Sequence, residues 1–367
     1  MLTRLARHRE LLSAMSGPSQ NLIDNVMGPV RGLVANVLRL FSQRPVQTAS
    51  VPFVDAVDCG YTASMDGACV PSLWNVVALL WITFLLLSYL LPVAWSILRG
   101  RWNIRQCYPV AGGYALVTGA STGLGYMLAD SLAAQGFNVV LVAPDDEYLK
   151  IAFAKLRKSH PRVDFRFVGC DLTSHDAEYM AYIEAVTRDI HVAVVFLNAC
   201  VRVPGPFHTS GLPDHLACIN CNVAANTRIA HHFLPLMYAS SHAGLVCFSS
   251  SPAAYIPSTS AAIFAATNAF ASQLVASLAT EAKPHGVDVM AVHHSLDDPP
   301  DRVLARIYRS VGTGQVLADL GLLAVVLRVV TFAVPANILA LTLEPVARLA
   351  PIAMSKLMLQ ARRIVGS

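Results

Sequence analysis

The stretch Thr118-Gly-Ala-Ser-Thr-Gly-Leu-Gly125 does most to limit what this chain can fold into. Gly119, Gly123 and Gly125 follow the apolar run Tyr-Ala-Leu-Val-Thr and lead into Leu-Gly-Tyr-Met-Leu-Ala-Asp-Ser-Leu, so they sit where a strand turns into a helix. Such a turn lets the backbone approach a pyrophosphate, whose charge then faces the helix N-terminus. Ser121 and Leu124 lie in the same turn and join the three glycines as candidate cofactor-binding residues.

Strand-like runs continue at Asn138–Ala143, Val163–Gly169, Val192–Leu197, Leu245–Ser249 and Val287–His293. Helical patterns begin between them near Leu124, Asp145, Ser174, Leu212 and Ser258. Alternation at this spacing predicts an α/β fold, a doubly wound parallel sheet with helices on both faces, over 112–298.

The chain is too apolar for that domain alone. Hydrophobic residues make up 54% and charged residues 14%, with a mean hydropathy of +0.50. Residues 73–98 contain no Asp, Glu, Lys, Arg or His, and as a helix they would extend roughly 39 Å, enough to cross a bilayer. Asp55, Asp58 and Asp66 precede this stretch and Arg99, Arg101 and Arg105 follow it, which predicts a cytosolic globular domain. Residues 1–72 read as a basic start followed by a loop, and 299–367 as an apolar, membrane-associated helical tail. Arg328 within that tail favours partial embedding over a clean crossing. The net charge of +4, without a basic run carrying aromatics, argues against a nucleic-acid partner.

Six cysteines (107, 170, 200, 218, 221 and 247) fall in or beside the α/β region as expected of reduced thiols, while Cys59 and Cys69 stand apart and are equally consistent with a pair or with two free thiols. Cys218, Cys221, His231 and His232 share one helical stretch, a poor arrangement for zinc, and no metal site is expected.

Further motifs appear in order: Cys170-Asp171-Leu172, then Leu197-Asn198-Ala199-Cys200, then Asn222 twelve residues before Leu234-Pro-Leu-Met237. Together with the glycine turn they resemble the short-chain dehydrogenase/reductase superfamily, whose domain is a Rossmann fold. The apolar segment ahead of the domain and the Leu-Pro-x-Met resemble the branch holding 17β-hydroxysteroid dehydrogenases and very-long-chain 3-oxoacyl-CoA reductases. The resemblance implies that Asp171 contacts an adenine, that Leu172, Asn198 and Ala199 line the cofactor site, and that Asn222 orders a water in a proton relay. It also implies an endoplasmic reticulum membrane location, a lipid or acyl ligand and a homodimer. The basic N-terminus leaves a mitochondrial membrane, or a place in a membrane complex, as the alternative.

The cofactor side carries Asp145 and Asp146 after the second strand and no basic residue. A carboxylate there repels a 2′-phosphate and accepts hydrogen bonds from ribose, so NAD(H) is favoured over NADP(H), with no bound cofactor as a further option. Asp145 reads equally well as a helix N-cap.

The catalytic pattern is broken. Counting as the family does, Ser251 holds the Ser position, but the Tyr position is Phe264 and the Lys position is Asn268. Phe has no proton to give and Asn no charge to depress a neighbour's pKa. The expected function is therefore that of a catalytically impaired member, a binding or scaffold protein resembling the inactive hydroxysteroid-dehydrogenase-like proteins. The alternative is an active NAD(P)-dependent oxidoreductase on a steroid or fatty-acyl carbonyl with an unconventional acid, for which His293 and His294 are better placed than Tyr255.

Overall fold

The computed structural model describes residues 61–63, 69–71, 75–84, 87, 91, 104–109, 112–240, 242–258, 260–295, 298–320, 324, 325, 327, 328 and 331. The expectations for residues 1–60, and those for most of 85–103 and of the tail beyond 320, lie outside these residues, Cys59 included. Ahead of the α/β region lie a short antiparallel hairpin, β1 (Tyr61–Ala63) with β2 (Cys69–Pro71), and the helix α1 (Asn75–Phe84). Leu79, Leu80, Trp81, Ile82 and Phe84 on α1 are exposed.

After the short helix α2 (Ile104–Cys107), strands and helices alternate. They run β3 (Tyr114–Thr118), α3 (Gly123–Ala134), β4 (Asn138–Ala143), α4 (Glu147–Ser159), β5 (Phe165–Gly169), α5 (Tyr179–Thr187) and β6 (Val192–Leu197). Then come α6 (Leu212–Ile219), α7 (Asn226–Ala239), β7 (Gly244–Ser250), α8 (Ala262–Ala282), β8 (Val287–His293), α9 (Pro300–Ser310) and β9 (Leu317–Asp319). The sheet order is β5-β4-β3-β6-β7-β8-β9, with every pairing parallel. Both faces are covered, as a parallel sheet requires. Ala115, Val117, Val139 and Leu141 pack with Leu128, Leu132, Leu149 and Ile307 on one face. Their neighbours Leu116, Val140 and Val142 pack with Ile183, Ile229, Phe233 and Val275 on the other. The period-2 alternation of a strand thus divides one apolar run between two cores.

Several expectations change. The strand expected from Val163 starts at Phe165, and the helix expected near Ser174 starts at Tyr179, after Ala177 has taken a φ of 56°. Pro257 and Ser260 (φ 62°) delay the helix expected near Ser258 until Ala262. Among the described residues α8, with the turn to His285, is the one helix long and apolar enough to span a membrane, but Ala271, Val275 and Ala279 bury it against the sheet. The domain also continues past the expected limit at 298: α9 packs on α3, and β9 adds a seventh strand.

Arg328 has a partner that its apolar surroundings in the sequence hide. Its Nη1 lies 2.8 Å from Asp319 Oδ2, while Asp319 Oδ1 accepts a 2.8 Å hydrogen bond from the Tyr255 hydroxyl and lies 3.3 Å from His293 Nδ1. Burial raises the pKa of Asp319, but hydrogen bonds from His293, Arg328 and Tyr255 outweigh it and hold the carboxyl at about 2. The depressed value gives stability that is present above the ordinary carboxylate pKa and lost as pH falls toward 2. Asp319→Asn should therefore cost about 2 kcal/mol at neutral pH and flatten the acid limb of stability between pH 5 and 2, read by urea unfolding.

Candidate active site

The switch point lies between β3 and β6, where the strand order reverses and a crevice opens at the C-terminal strand ends. Thr118 closes its floor. Its buried Oγ1 accepts hydrogen bonds from the backbone N–H groups of Asn198 and Ala199, both at 2.9 Å. Asn198 then donates through Nδ2 to the Thr118 carbonyl (3.2 Å) and accepts from Ser249 Oγ (3.2 Å), joining β3, β6 and β7 at one level.

The glycine turn rests on this floor. Gly119 has a φ of +65°, and a Cβ there would come 3.0 Å from Ala199 Cα. At Gly125 a Cβ would fall 2.1 Å from the Gly119 carbonyl oxygen, so nothing larger fits. Gly123 (φ +54°) has nothing within 4 Å of its Cβ position and begins α3. These features fit a pyrophosphate at the start of α3.

The cleft above the floor encloses about 500 Å³. Gly119, Ser121, Leu124, Asp171, Leu172, Asn198 and Ala199 line it, as the sequence leads one to expect. So do Ser251, Phe264 and Asn268. Asp171 Oδ1 accepts hydrogen bonds from the Thr173 N–H (2.8 Å) and hydroxyl (2.7 Å), which fixes the turn after β5. Asp145 is not the helix cap: Asp146 accepts the Leu149 N–H at 2.9 Å. Asp145 remains exposed beside the cleft, 3.6 Å from Lys150, in space that Gly169 leaves open, since a Cβ there would strike Asp145 Cβ at 2.7 Å.

Asn222 sits apart from the cleft lining. It belongs to a π-helical turn, Asn220–Ala225, between α6 and α7. Its amide accepts from Val201 N (2.8 Å), donates to Val201 O (2.9 Å) and reaches Thr267 Oγ1 (3.2 Å). The side chain therefore braces the loop after β6.

At the reacting end the lining is short of acids and cations. Ser251 keeps its hydroxyl in the cleft and caps a short turn through Ala253 N–H (3.3 Å). The Phe264 ring is buried. Asn268 donates Nδ2 to the Phe264 carbonyl at 2.7 Å, so its amide is committed to its own helix. Burial pushes the cleft thiols Cys170 and Cys221 up to about 11 and about 12, so both stay protonated at neutral pH. His294 also lines the cleft; burial lowers its pKa, leaving a neutral imidazole with Nδ1 3.3 Å from Ser295 O.

His293 and Tyr255 take no place in the cleft lining. His293 is fully buried, with Nε2 2.8 Å from Ser272 Oγ and Nδ1 3.0 Å from the Tyr255 hydroxyl. Ser272, His293 and Asp319 follow the order of an acyl-transfer triad, but Ser272 is buried and donates to Asn268 O (2.9 Å), so the group serves packing. Among the described residues no group of three or more His, Cys, Asp or Glu side chains is placed to hold a metal ion; Cys218 donates instead to Val201 O at 3.1 Å.

Residues 113–296 match the family model of the short chain dehydrogenases. The chain belongs to that family. It is 27% identical over 221 residues to a very-long-chain 3-oxoacyl-CoA reductase of Emericella nidulans, covering 60% of this chain and 62% of the relative. It is likewise 27% identical over 190 residues to a 7beta-hydroxysteroid dehydrogenase of Collinsella aerofaciens, covering 52% and 70%. A short-chain dehydrogenase from Sphingobium yanoikuyae, solved in complex with NADPH, superposes with a TM-score of 0.52 at 25% identity, over 57% of this chain and 88% of that one. The match spans a little over half the length of the fungal reductases.

Sequence reasoning assigns no place in the site to Thr118, which holds the floor from beneath, to Val201 in the braced loop, or to Cys170 and Cys221 in the lining. Thr118 could have been found from its place directly before the first glycine. The glycine turn itself yields a paired prediction. Gly125→Ala should abolish folding or cofactor binding, because backbone blocks the methyl, whereas Gly123→Ala should cost only about 1–2 kcal/mol for its positive φ. Thermal melts of the two variants side by side check the contrast.

Proposed function

We propose that this short-chain dehydrogenase is a membrane-anchored protein of the steroid and 3-oxoacyl-CoA reductase type whose cleft binds ligand without efficient carbonyl reduction. One observation carries the reading: at the reacting end, Phe264 and Asn268 stand where family members place Tyr and Lys, and the Asn268 amide is committed to the Phe264 carbonyl at 2.7 Å. Losing a general acid typically removes about 10²–10⁴-fold in rate. When bound, a nicotinamide cofactor supplies the hydride, and the chain retains the turn for its pyrophosphate. The NADPH complex of the Sphingobium protein supports a nicotinamide cofactor in general, and the exposed Asp145 favours NAD(H).

The exposed apolar face of α1 and the uncharged stretch 73–98 support an anchor in the membrane. The positive residues that follow it favour a cytosolic domain, and the likeness to the 3-oxoacyl-CoA reductases supports the endoplasmic reticulum, with a lipid or acyl ligand and a second copy of the chain as the expected partners. A mitochondrial membrane is the other location to test by fractionation.

Titration of full-length protein with NADH and NADPH, followed by a ketone-reduction assay, tests this reading. Wild type should bind NADH and show no robust turnover, and Phe264→Tyr with Asn268→Lys should gain activity that neither single change gives. Robust wild-type reduction abolished by Ser251→Ala would overturn it. The second reading, an enzyme with an unconventional acid, draws on His294 in the cleft. It requires turnover that His294→Gln removes and Tyr255→Phe leaves intact.

A further inference from the structure

The position that lacks a proton donor gains a cation. Arg202, two residues beyond the cleft-lining Cys200, is exposed and lays its guanidinium over the Phe264 ring, 5.6 Å from the centroid. A ring at this position offers the guanidinium a face, so Phe264 both removes an acid and seats a fixed charge. The backbone that carries Arg202 is held in turn. Val201 makes hydrogen bonds to the Asn222 amide from its N–H and its carbonyl, so the loop cannot swing freely.

Arg202 has no ion-pair partner among the described residues. Arg202 itself is outside the cleft lining, but its neighbours Cys200 and Val201 and the Phe264 ring it covers belong to that lining, together with the Ser251 hydroxyl and the neutral His294. Neither thiol nor imidazole brings a competing negative charge at this end. The segment after Arg202 exposes Phe207, Leu212 and Leu216, apolar surface directly beyond the charge in the chain.

We infer that this cleft selects a ligand with a carboxylate head on an apolar chain, an acyl carboxylate, with Arg202 as its counter-ion and Phe264 as the platform that positions Arg202. The planar guanidinium matches a carboxylate in a two-point hydrogen bond that a carbonyl or an alcohol cannot accept as an anion. This rests on the proposed reading of the cleft as a binding site. It adds the ligand class: the oxidised acid, which has no ketone to reduce.

The test uses full-length protein in nanodiscs, titrated calorimetrically with octanoate and with 1-octanol, empty nanodiscs being subtracted. Wild type should bind octanoate at least about tenfold more tightly than octanol. Arg202→Gln should bring the two affinities together, and Arg202→Lys, which keeps the charge but not the fork, should fall between. Retained octanol binding shows that the Gln variant is folded. Equal affinities in wild type, a preference that survives Arg202→Gln, or binding of neither ligand would overturn the inference. NADH-dependent ketone reduction measured on the same samples separates the failures. Turnover overturns the binding reading, whereas loss of acid preference without turnover overturns only the ligand class.

Discussion

The whole cleft depends on one buried hydroxyl. Thr118 ends the first strand of the sheet and accepts two backbone N–H groups from the end of β6, across the point where the strand order reverses. Those N–H groups lie beyond the last rung of the ladder and would otherwise be buried donors without partners, at a cost of about 1–3 kcal/mol each. With them satisfied, Asn198 reaches both β3 and β7, Ala199 sits under Gly119, and the glycine turn has a surface to rest on.

From that junction the site divides. Toward α3 the packing admits only glycine at 125 and leaves the space for a pyrophosphate intact. Toward α8 the lining consists of Ser251, the Phe264 ring, an internally bonded Asn268 and neutral groups. The two ends are built on different elements, so one can change while the other stays. A substitution on α8 leaves the glycine turn unstrained, because α8 packs on β8 and the short turn at Pro252–Ala254. The family relationship and the proposed loss of chemistry are therefore compatible within one fold.

Sequence reasoning reached the strands and the cleft lining because both are local. All six of its strands start and end within two residues of the observed ones, since runs such as Asn138–Ala143 are apolar on both faces and bounded by turns. It missed β9, whose three residues carry no periodicity, and so gave Pro300–Leu320 to the tail. It also missed what is set by contacts between distant positions. Asp319 meets Tyr255, 64 residues away, and the service of Asn222 to the Val201 backbone depends on a π turn that nothing in the local pattern announces. Asp146 rather than Asp145 capping α4 is the smaller error, a shift of one residue that only backbone dihedrals resolve.

The late arrival of β9 has a consequence for how the chain is made. The edge of β8 carries the buried His293, and it stays unpaired until residues 317–319 have been synthesised and docked. During translation, an almost complete domain therefore presents a bare strand edge, the kind of surface that pairs with other chains. A fragment cut at 298 would keep that edge permanently. The residues that close it lie just before the apolar tail, so the sheet is sealed at about the moment when the tail emerges. Completion of the fold and delivery of that apolar segment are thereby tied to the same few residues.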